Sequence, residues 1–298
     1  MDLKMISPLF ESLLDNSMFL LPLEMGNENP LEGGQMENYL RTGDKVEPQF
    51  KLQLDDKDVN IEELEDLTGY SRLKTVRELW LDRNEFGDRG VELLSNAEEL
   101  SSLRVLSLAG NKLTDRALSS LARSKTLIQL KRLFIHDNFL GSKGVVDLAQ
   151  SQTINSLEIL YLKQNPLGIE GAKALASSCV FQSVKELYLG RTQLGNDGLA
   201  QLCGGRSWPK LTALSLAQNG LGVESMKLGD FFIEYDTDKG YIEFENKARN
   251  ELMAQLGLSI KRSTYNADSS MGDVDWKKNI DGSDSTLNMK PNPANTRN

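Results

Sequence analysis

The sequence predicts an α/β solenoid in which short parallel strands form a concave sheet and helices form the convex side. Three observations support this fold class. One polar position, which we call the marker, recurs at a fixed step of 27 residues. Leu or Ile alternates with other residues just before it, and apolar residues three apart follow it. Fixed periods of this length are typical of stacked units that share one core. The markers are Asn84, Asn111, Asn138, Asn165, Thr192 and Asn219.

Each unit contains a strand, a turn, a helix and a return loop. Counted from the marker as zero, positions −5 and −3 are apolar, as in Leu133 and Ile135, and this alternation indicates a strand with one buried face. Gly dominates position +3, where we expect a bend. Apolar residues at +7 and +10 lie on one helical face. Helix caps are expected at position +4, which holds Asp88, Asp115, Ser142 and Asn196.

The marker side chain has a predicted structural role. A buried Asn amide has both donors and an acceptor, so it can bond backbone groups in its own bend and in that of the adjacent unit. A ladder of such amides would then run along the solenoid. Thr192 has only a hydroxyl, so we expect the ladder to be interrupted there.

The repeat pattern predicts a domain over residues 49–258. Its first unit, with Lys57 at the marker position, is more acidic than the others, as suits an end unit. At the other end, Phe231 to Glu245 suggests a hairpin or a last edge strand, and Lys247 to Leu258 suggests a short helix. Together they are interpreted as a C-terminal cap.

The segments outside the repeats are interpreted separately. Residues 1–48 are predicted to hold a helix that begins at Ser7 and Pro8, followed by a linker from Gly26 to Glu47. The helix has three open interpretations: a cap on the first unit, a partner-binding helix, or a disordered segment. Residues 259–298 are poor in apolar side chains and are predicted to be a disordered tail.

The motif Asn-x-Leu-Gly-x-x-Gly-x-x-x-Leu occurs at residues 138–148 and 165–175. It resembles the leucine-rich repeats of the ribonuclease-inhibitor class, which are shared with Ran GTPase-activating proteins and nucleotide-sensing immune receptors. The resemblance covers about two thirds of the chain. It implies a horseshoe-shaped solenoid, and it implies protein binding as the shared activity.

Composition excludes several function classes. The chain has 34 basic and 43 acidic residues, whereas a general nucleic-acid binder needs a basic face for phosphates. Two cysteines are too few for a disulfide framework. We find no signal-peptide pattern and no apolar run long enough to insert into a membrane. The expected location is therefore cytoplasmic, including the cytosol of a host cell into which the protein is delivered.

Binding residues are expected where the repeat leaves positions free, at −6, −4, −2 and −1 on the open face. Aromatic residues at −4 in adjacent strands should stack into one stripe, because adjacent strands lie about 4.8 Å apart. Aromatic rings beside Arg and mixed charge are typical of interface hot spots. The alternative is that the rings only support one another. The candidate partner-binding residues are Trp80, Phe134, Tyr161, Tyr188, Arg132, His136, Lys163 and Arg191.

The sequence does not predict an enzyme. His136 is the only histidine, and no serine or cysteine is expected to face it as a nucleophile. No cofactor motif or metal-ligand spacing is found, so neither a cofactor nor a metal site is predicted. The predicted function is a non-enzymatic module that binds a protein or peptide partner. Two alternatives stay open: a Ran-type GTPase-activating protein, and an adaptor or effector that recruits a target through the repeats.

Overall fold

The computed structural model describes residues 6–21 and 48–204, the short stretches 208–211, 213–216 and 218–220, and the backbone of four strands nearer the C-terminus. The linker predicted over Gly26 to Glu47 and the helix predicted over Lys247 to Leu258 lie outside these residues.

One sheet of ten strands forms the body of the protein, in the order β1-β2-β3-β4-β5-β6-β7-β8-β12-β11. Strands β2 to β8 are parallel, and equivalent residues pair in register, so that Leu106 lies between Leu79 and Leu133. This arrangement confirms the predicted α/β solenoid. The strands in chain order are β1 Met18–Leu20, β2 Phe50–Gln53, β3 Val76–Trp80, β4 Val105–Ser107, β5 Arg132–Phe134, β6 Ile159–Tyr161, β7 Glu186–Tyr188, β8 Ala213–Ser215, β9 Ile233–Asp236, β10 Tyr241–Phe244, β11 Ser259–Lys261 and β12 Asp275–Lys277.

The helices of the repeat units lie on the convex side, and each packs against the next. The apolar residues at positions −5 and −3 of the units from Leu52 to Leu189 are buried between the sheet and these helices. Each buried side chain contributes about 1.5–3 kcal/mol, so a unit is stable only when its neighbours cover it. The helices are α1 Pro8–Asn16, α2 Ile61–Thr68, α3 Gly87–Asn96, α4 Asp115–Arg123, α5 Ser142–Ala149, α6 Gly168–Ser177 and α7 Gly195–Gly204.

The helices do not begin where position +4 predicted. Asp115 is the first residue of α4, whose N-cap is Thr114, and Asp88 lies inside the first turn of α3. Both carboxylates instead reach the next unit: Asp88 accepts the N–H of Thr114 at 2.7 Å, and Asp115 that of Gly141 at 2.7 Å. The prediction was wrong because stacking brings the N-cap amide of the next helix within reach of each carboxylate.

The bend after each strand is sharper than the sequence indicated. The strands end at position −4, so positions −2 and −1 belong to the bend and not to the strand. The residue at −1 has a left-handed φ of 54° to 66° in every unit, a conformation that only Gly adopts readily. Six of these seven residues pair across units, Arg83 with Asp56, Gln164 with Asp137 and Arg191 with Gln218, and the seventh is Gly110.

The marker residues form the predicted ladder. Asn138 is representative: its Oδ1 accepts the N–H groups of Asn111 and Leu113 at 2.9 and 3.0 Å. Its Nδ2 donates to the carbonyls of Leu108 and Ile135, both at 3.1 Å. One side chain therefore satisfies buried backbone groups in two units. Equivalent bonds are made by Asn84, Asn111, Asn165 and Asn219.

Thr192 interrupts this ladder, as predicted. Its hydroxyl donates to the carbonyl of Leu189 in its own unit at 2.7 Å. In the preceding unit, the N–H of Leu167 bonds the carbonyl of Asn165 within the same bend at 2.8 Å. The equivalent N–H of Leu140 bonds the next marker amide instead. At this position the bend before Thr192 is therefore bonded within itself and not through the side chain of the next marker.

A second ladder, which the sequence analysis missed, runs along the ends of the helices. Ser124, Ser151 and Ser178 are 27 residues apart and buried. Their hydroxyls donate to backbone carbonyls near the helix end of the preceding unit, at 2.6 to 2.7 Å. Hydrogen bonds between units therefore hold both sides of the solenoid.

The N-terminal segment covers the first edge of the sheet. Strand β1 pairs antiparallel with β2, and α1 places Phe10 and Leu14 in the common core. The Tyr70 hydroxyl donates to Asp15 on α1 at 2.5 Å, and burial raises the pKa of Tyr70 to about 12. Of the three interpretations of this helix, disorder is wrong, because α1 is folded against the first unit.

The C-terminal region departs from the sequence prediction in part. The hairpin is confirmed, since β9 pairs antiparallel with β10. The segment from Ser259, predicted to be disordered throughout, contains β11 and β12, and β12 pairs antiparallel with β8. An uncovered edge strand leaves a row of unpaired N–H and C=O groups, and β12 bonds those of β8.

We predict that Asn138→Ala lowers the free energy of unfolding by about 3 kcal/mol. The substitution leaves two buried N–H groups without an acceptor, and each unsatisfied buried group costs about 1–3 kcal/mol. Urea denaturation measures the change. The exposed Asn155→Ala, in a return loop, is the control and should change stability little; equal effects of both substitutions would contradict the ladder.

We also predict that Thr192→Asn raises the free energy of unfolding by about 1 kcal/mol. The new amide would reach the bend of the preceding unit, and a net buried hydrogen bond contributes about 0.5–1.5 kcal/mol. The same denaturation experiment measures the gain. A loss of stability would show that the bend at Asn165 cannot open to join the next unit.

Candidate functional site

The concave face carries a continuous row of aromatic side chains, which we call the aromatic row. Its members occupy position −4 on their strands: Trp80, Phe134, Tyr161 and Tyr188. Tyr161 stacks on Tyr188 with ring centroids 4.5 Å apart, and Phe134 lies 6.0 Å from Tyr161. All four side chains are half-buried. The last three rings form the predicted stripe, in which Tyr161 and Tyr188 are stacked and Phe134 is tilted by 40° against Tyr161.

Trp80 also belongs to the row, although a strand separates it from Phe134. The intervening residue is Ser107, which is completely buried. Two strand spacings amount to about 9.6 Å, yet the two rings are 5.6 Å apart and stacked. The rings therefore lean toward each other over the small side chain. Beneath them the Ser107 hydroxyl donates to Asp82 at 2.6 Å.

Charged neighbours hold the two ends of the row. Glu78 accepts a hydrogen bond from the Trp80 indole at 3.3 Å, and Lys51 lies 4.4 Å above the same ring. At the other end, Glu186 accepts from the Tyr188 hydroxyl at 2.8 Å. These contacts fix the orientation of the outer rings, so the surface is preorganised before any partner binds.

His136 extends the row toward the bends. Its ring packs edge-on against Tyr161 at 4.9 Å, and its Nδ1 is buried without a hydrogen-bond partner among the described residues. Burial lowers the pKa of His136, although Asp82 and Asp137 act in the opposite direction. The imidazole is therefore neutral at pH 7. Burial raises the pKa of Asp82, which nonetheless accepts bonds from Ser107 and the Ala109 amide.

The remaining predicted residues divide between the two sides of the row. Arg132 is exposed on β5, at position −6, on the strand-start side. Lys163 is half-buried at −2, in the bend after Tyr161. Arg191 is left-handed at −1 and donates to Gln218 in the next unit. Arg191 thus lies in the bend after Tyr188 and is engaged within the protein.

The structure also contains a cleft that sequence reasoning missed. It has a volume of about 580 Å³ and lies at the start of strands β5 to β7, next to the aromatic row. Arg104, Lys131 and Lys185 line it, and they share position −7 of three units. The sequence signal that could have predicted this cleft is the recurrence of Lys or Arg at position −7.

Two features are absent from the described part of the chain. Within it, no three His, Cys, Asp or Glu side chains come together as metal ligands would. No helix there has the length and apolar character that crossing a membrane requires.

We predict that His136→Gln reduces the loss of stability on acidification. The lowered pKa means that the unfolded chain binds more protons, so the stability from neutral His136 is complete above about pH 6.5 and is lost as the pH falls through the folded pKa. Thermal melts at about pH 7.5 and about pH 5.5 measure the loss. Asp82 is present in both proteins, so its contribution to the pH dependence cancels in the comparison. An equal loss in wild type and variant would show that His136 is accessible to protons in the fold.

A comparison with protein-family models agrees with this architecture. A family model described as "Leucine Rich repeat" matches residues 72–95, 99–122 and 153–176. No curated protein matches the chain. Among solved structures, the chain is similar to an internalin (inlF) from Listeria monocytogenes, with 25% sequence identity and a TM-score of 0.38. That alignment covers 55% of this chain but only 40% of the internalin chain. Each matched segment spans one strand and the helix that follows it, so the chain contains leucine-rich repeats.

Proposed function

We propose that the protein is a non-enzymatic interaction module that holds a protein or peptide partner on its concave sheet. Leucine-rich repeats are typical of protein–protein interaction modules, and their units here resemble the ribonuclease-inhibitor class. The observation that carries the proposal is the aromatic row: four half-buried rings in contact across five strands, with two pairs stacked and one tilted. Interface hot spots are enriched in such aromatic side chains.

The exposure of the rings favours binding over mutual support alone. Rings that only stabilise the sheet would gain most from complete burial, whereas these four keep part of their surface open to solvent. Because their outer contacts already fix the outer rings, these side chains would lose little conformational entropy when a partner docks against them. A broad open sheet offers area and not an enclosed pocket, which favours a macromolecule over a small ligand.

The polar residues around the row have distinct proposed roles. Arg132 and Lys163 flank it on opposite sides and would orient a partner through charge. His136 supplies a neutral ring that continues the aromatic surface. Arg191 is bonded to Gln218 and would act as a rim contact. We place this activity in the cytoplasm or in the cytosol of a host cell.

We predict that replacing three rings, Phe134→Ala/Tyr161→Ala/Tyr188→Ala, abolishes capture of the partner. Each buried hot-spot ring contributes about 2 kcal/mol or more to binding, so losing three should remove detectable affinity. Affinity purification from a lysate, with identification by mass spectrometry, compares the variant with wild type. Circular-dichroism melts establish that the variant is folded.

The matched control is Leu9→Ala/Ile169→Ala, which removes two exposed apolar side chains on helices away from the sheet face. It should capture the same proteins as wild type. If the folded ring variant also captures them, the row is part of the scaffold and the proposal is wrong. A small GTPase among the captured proteins would favour the alternative, GTPase activation, which a GTP-hydrolysis assay with the purified pair would test.

A further inference from the structure

The cleft beside the aromatic row has a charge opposite to that of the whole protein. The chain carries a net charge of −9, but four cations and two carboxylates line the cleft: Arg104, Lys131, Arg132, Lys185, Glu158 and Glu186. The cleft therefore has a local excess of positive charge on a protein whose net charge is negative. A concave site with an excess of one sign of charge concentrates ligands of the opposite sign.

The two carboxylates in the cleft already bond groups of the protein. Glu158 lies between two lysines, with Lys131 at 3.1 Å and Lys185 at 2.8 Å. Partial burial raises the pKa of Glu158, but the bonds from Lys185 and Lys131 outweigh it and hold the pKa below its ordinary value. Glu186 accepts the Tyr188 hydroxyl. Glu158 is thus balanced by two lysines and Glu186 braces the last ring, and neither carboxylate forms an ion pair with Arg132.

Arg132 is placed to contact a ligand. It is exposed at position −6 of β5, two residues before Phe134 on the same face of the sheet. Among the described residues it has no ion-pair partner. Ile128 is 48% exposed and, with the half-buried Ile159, supplies an apolar part of the lining. The cleft therefore offers the Arg132 guanidinium near two apolar groups, Phe134 on one side and Ile128 with Ile159 in the cleft lining.

We propose that this cleft binds an acidic segment of the protein partner that the aromatic row holds. The inference rests on the proposed function and adds the chemistry of the partner. Aspartate or glutamate side chains of the segment would bond Arg132, whose planar guanidinium suits carboxylates. An adjacent apolar side chain of the segment would lie against Ile128, and its next residues would continue onto Phe134.

A displayed library of random peptides tests this proposal on the full chain. Peptides retained by wild type should contain Asp and Glu about twofold more often than the input library. A synthetic peptide from the retained pool should bind Arg132→Glu about tenfold more weakly than wild type, and its affinity should fall as salt is added. Lys143→Glu is the matched control, because it makes the same charge change on the exposed first turn of α5.

The outcomes separate this inference from the proposed function. If retained peptides are lost by the folded ring variant but show no acidic bias, or bind Arg132→Glu as well as wild type, the acidic partner is overturned and concave binding stands. If the folded ring variant retains the peptides as well as wild type does, both the acidic segment and concave binding are overturned. If wild type retains no peptide, the proposal of an acidic segment is overturned. The affinity purification with the ring variant then tests concave binding on its own.

Discussion

The structure depends on hydrogen bonds by which each unit satisfies the buried backbone of its neighbour. A strand that ends in a sharp bend leaves N–H and C=O groups that water cannot reach, and unpaired groups of this kind are costly. The marker amides resolve this by bonding two bends at once. The serine ladder does the same at the helix ends. A unit is therefore incomplete alone, and the end units need β1 and β12 to cover their edges.

This dependence explains why one face of the sheet is free to carry function. Positions −5 and −3 are fixed by the core, and the marker is fixed by the bend. Position −4 is bound by neither, so it can hold Trp80, Ser107 or Tyr161 without disturbing the stack. In-register pairing then brings side chains from distant parts of the chain together. The stacked contact between Trp80 and Phe134 across Ser107 results from this register.

The sequence predicts those features that follow from the period itself. The strands, the marker ladder, its interruption at Thr192 and the stacking of Tyr161 on Tyr188 all follow from equivalent positions being adjacent. Features that depend on how side chains reach across units were missed. Asp88 and Asp115 were assigned to their own helices because the next unit's amide is not apparent in a linear sequence. The left-handed residue before each marker was missed because Asp, Arg and Gln occupy it as well as Gly.

The same register also separates two kinds of charge on the concave surface. After the strands, the bend residues pair across units, as Gln164 with Asp137 and Arg191 with Gln218, which uses their polarity within the protein. Before the strands, cations recur at position −7, and the carboxylate of Glu158 is shared between two of them. A cation that exceeds the available carboxylates must face solvent or a partner. Arg132 is such a cation, and it lies beside rings whose surfaces are also partly open, so charge and apolar contact would act on the same ligand.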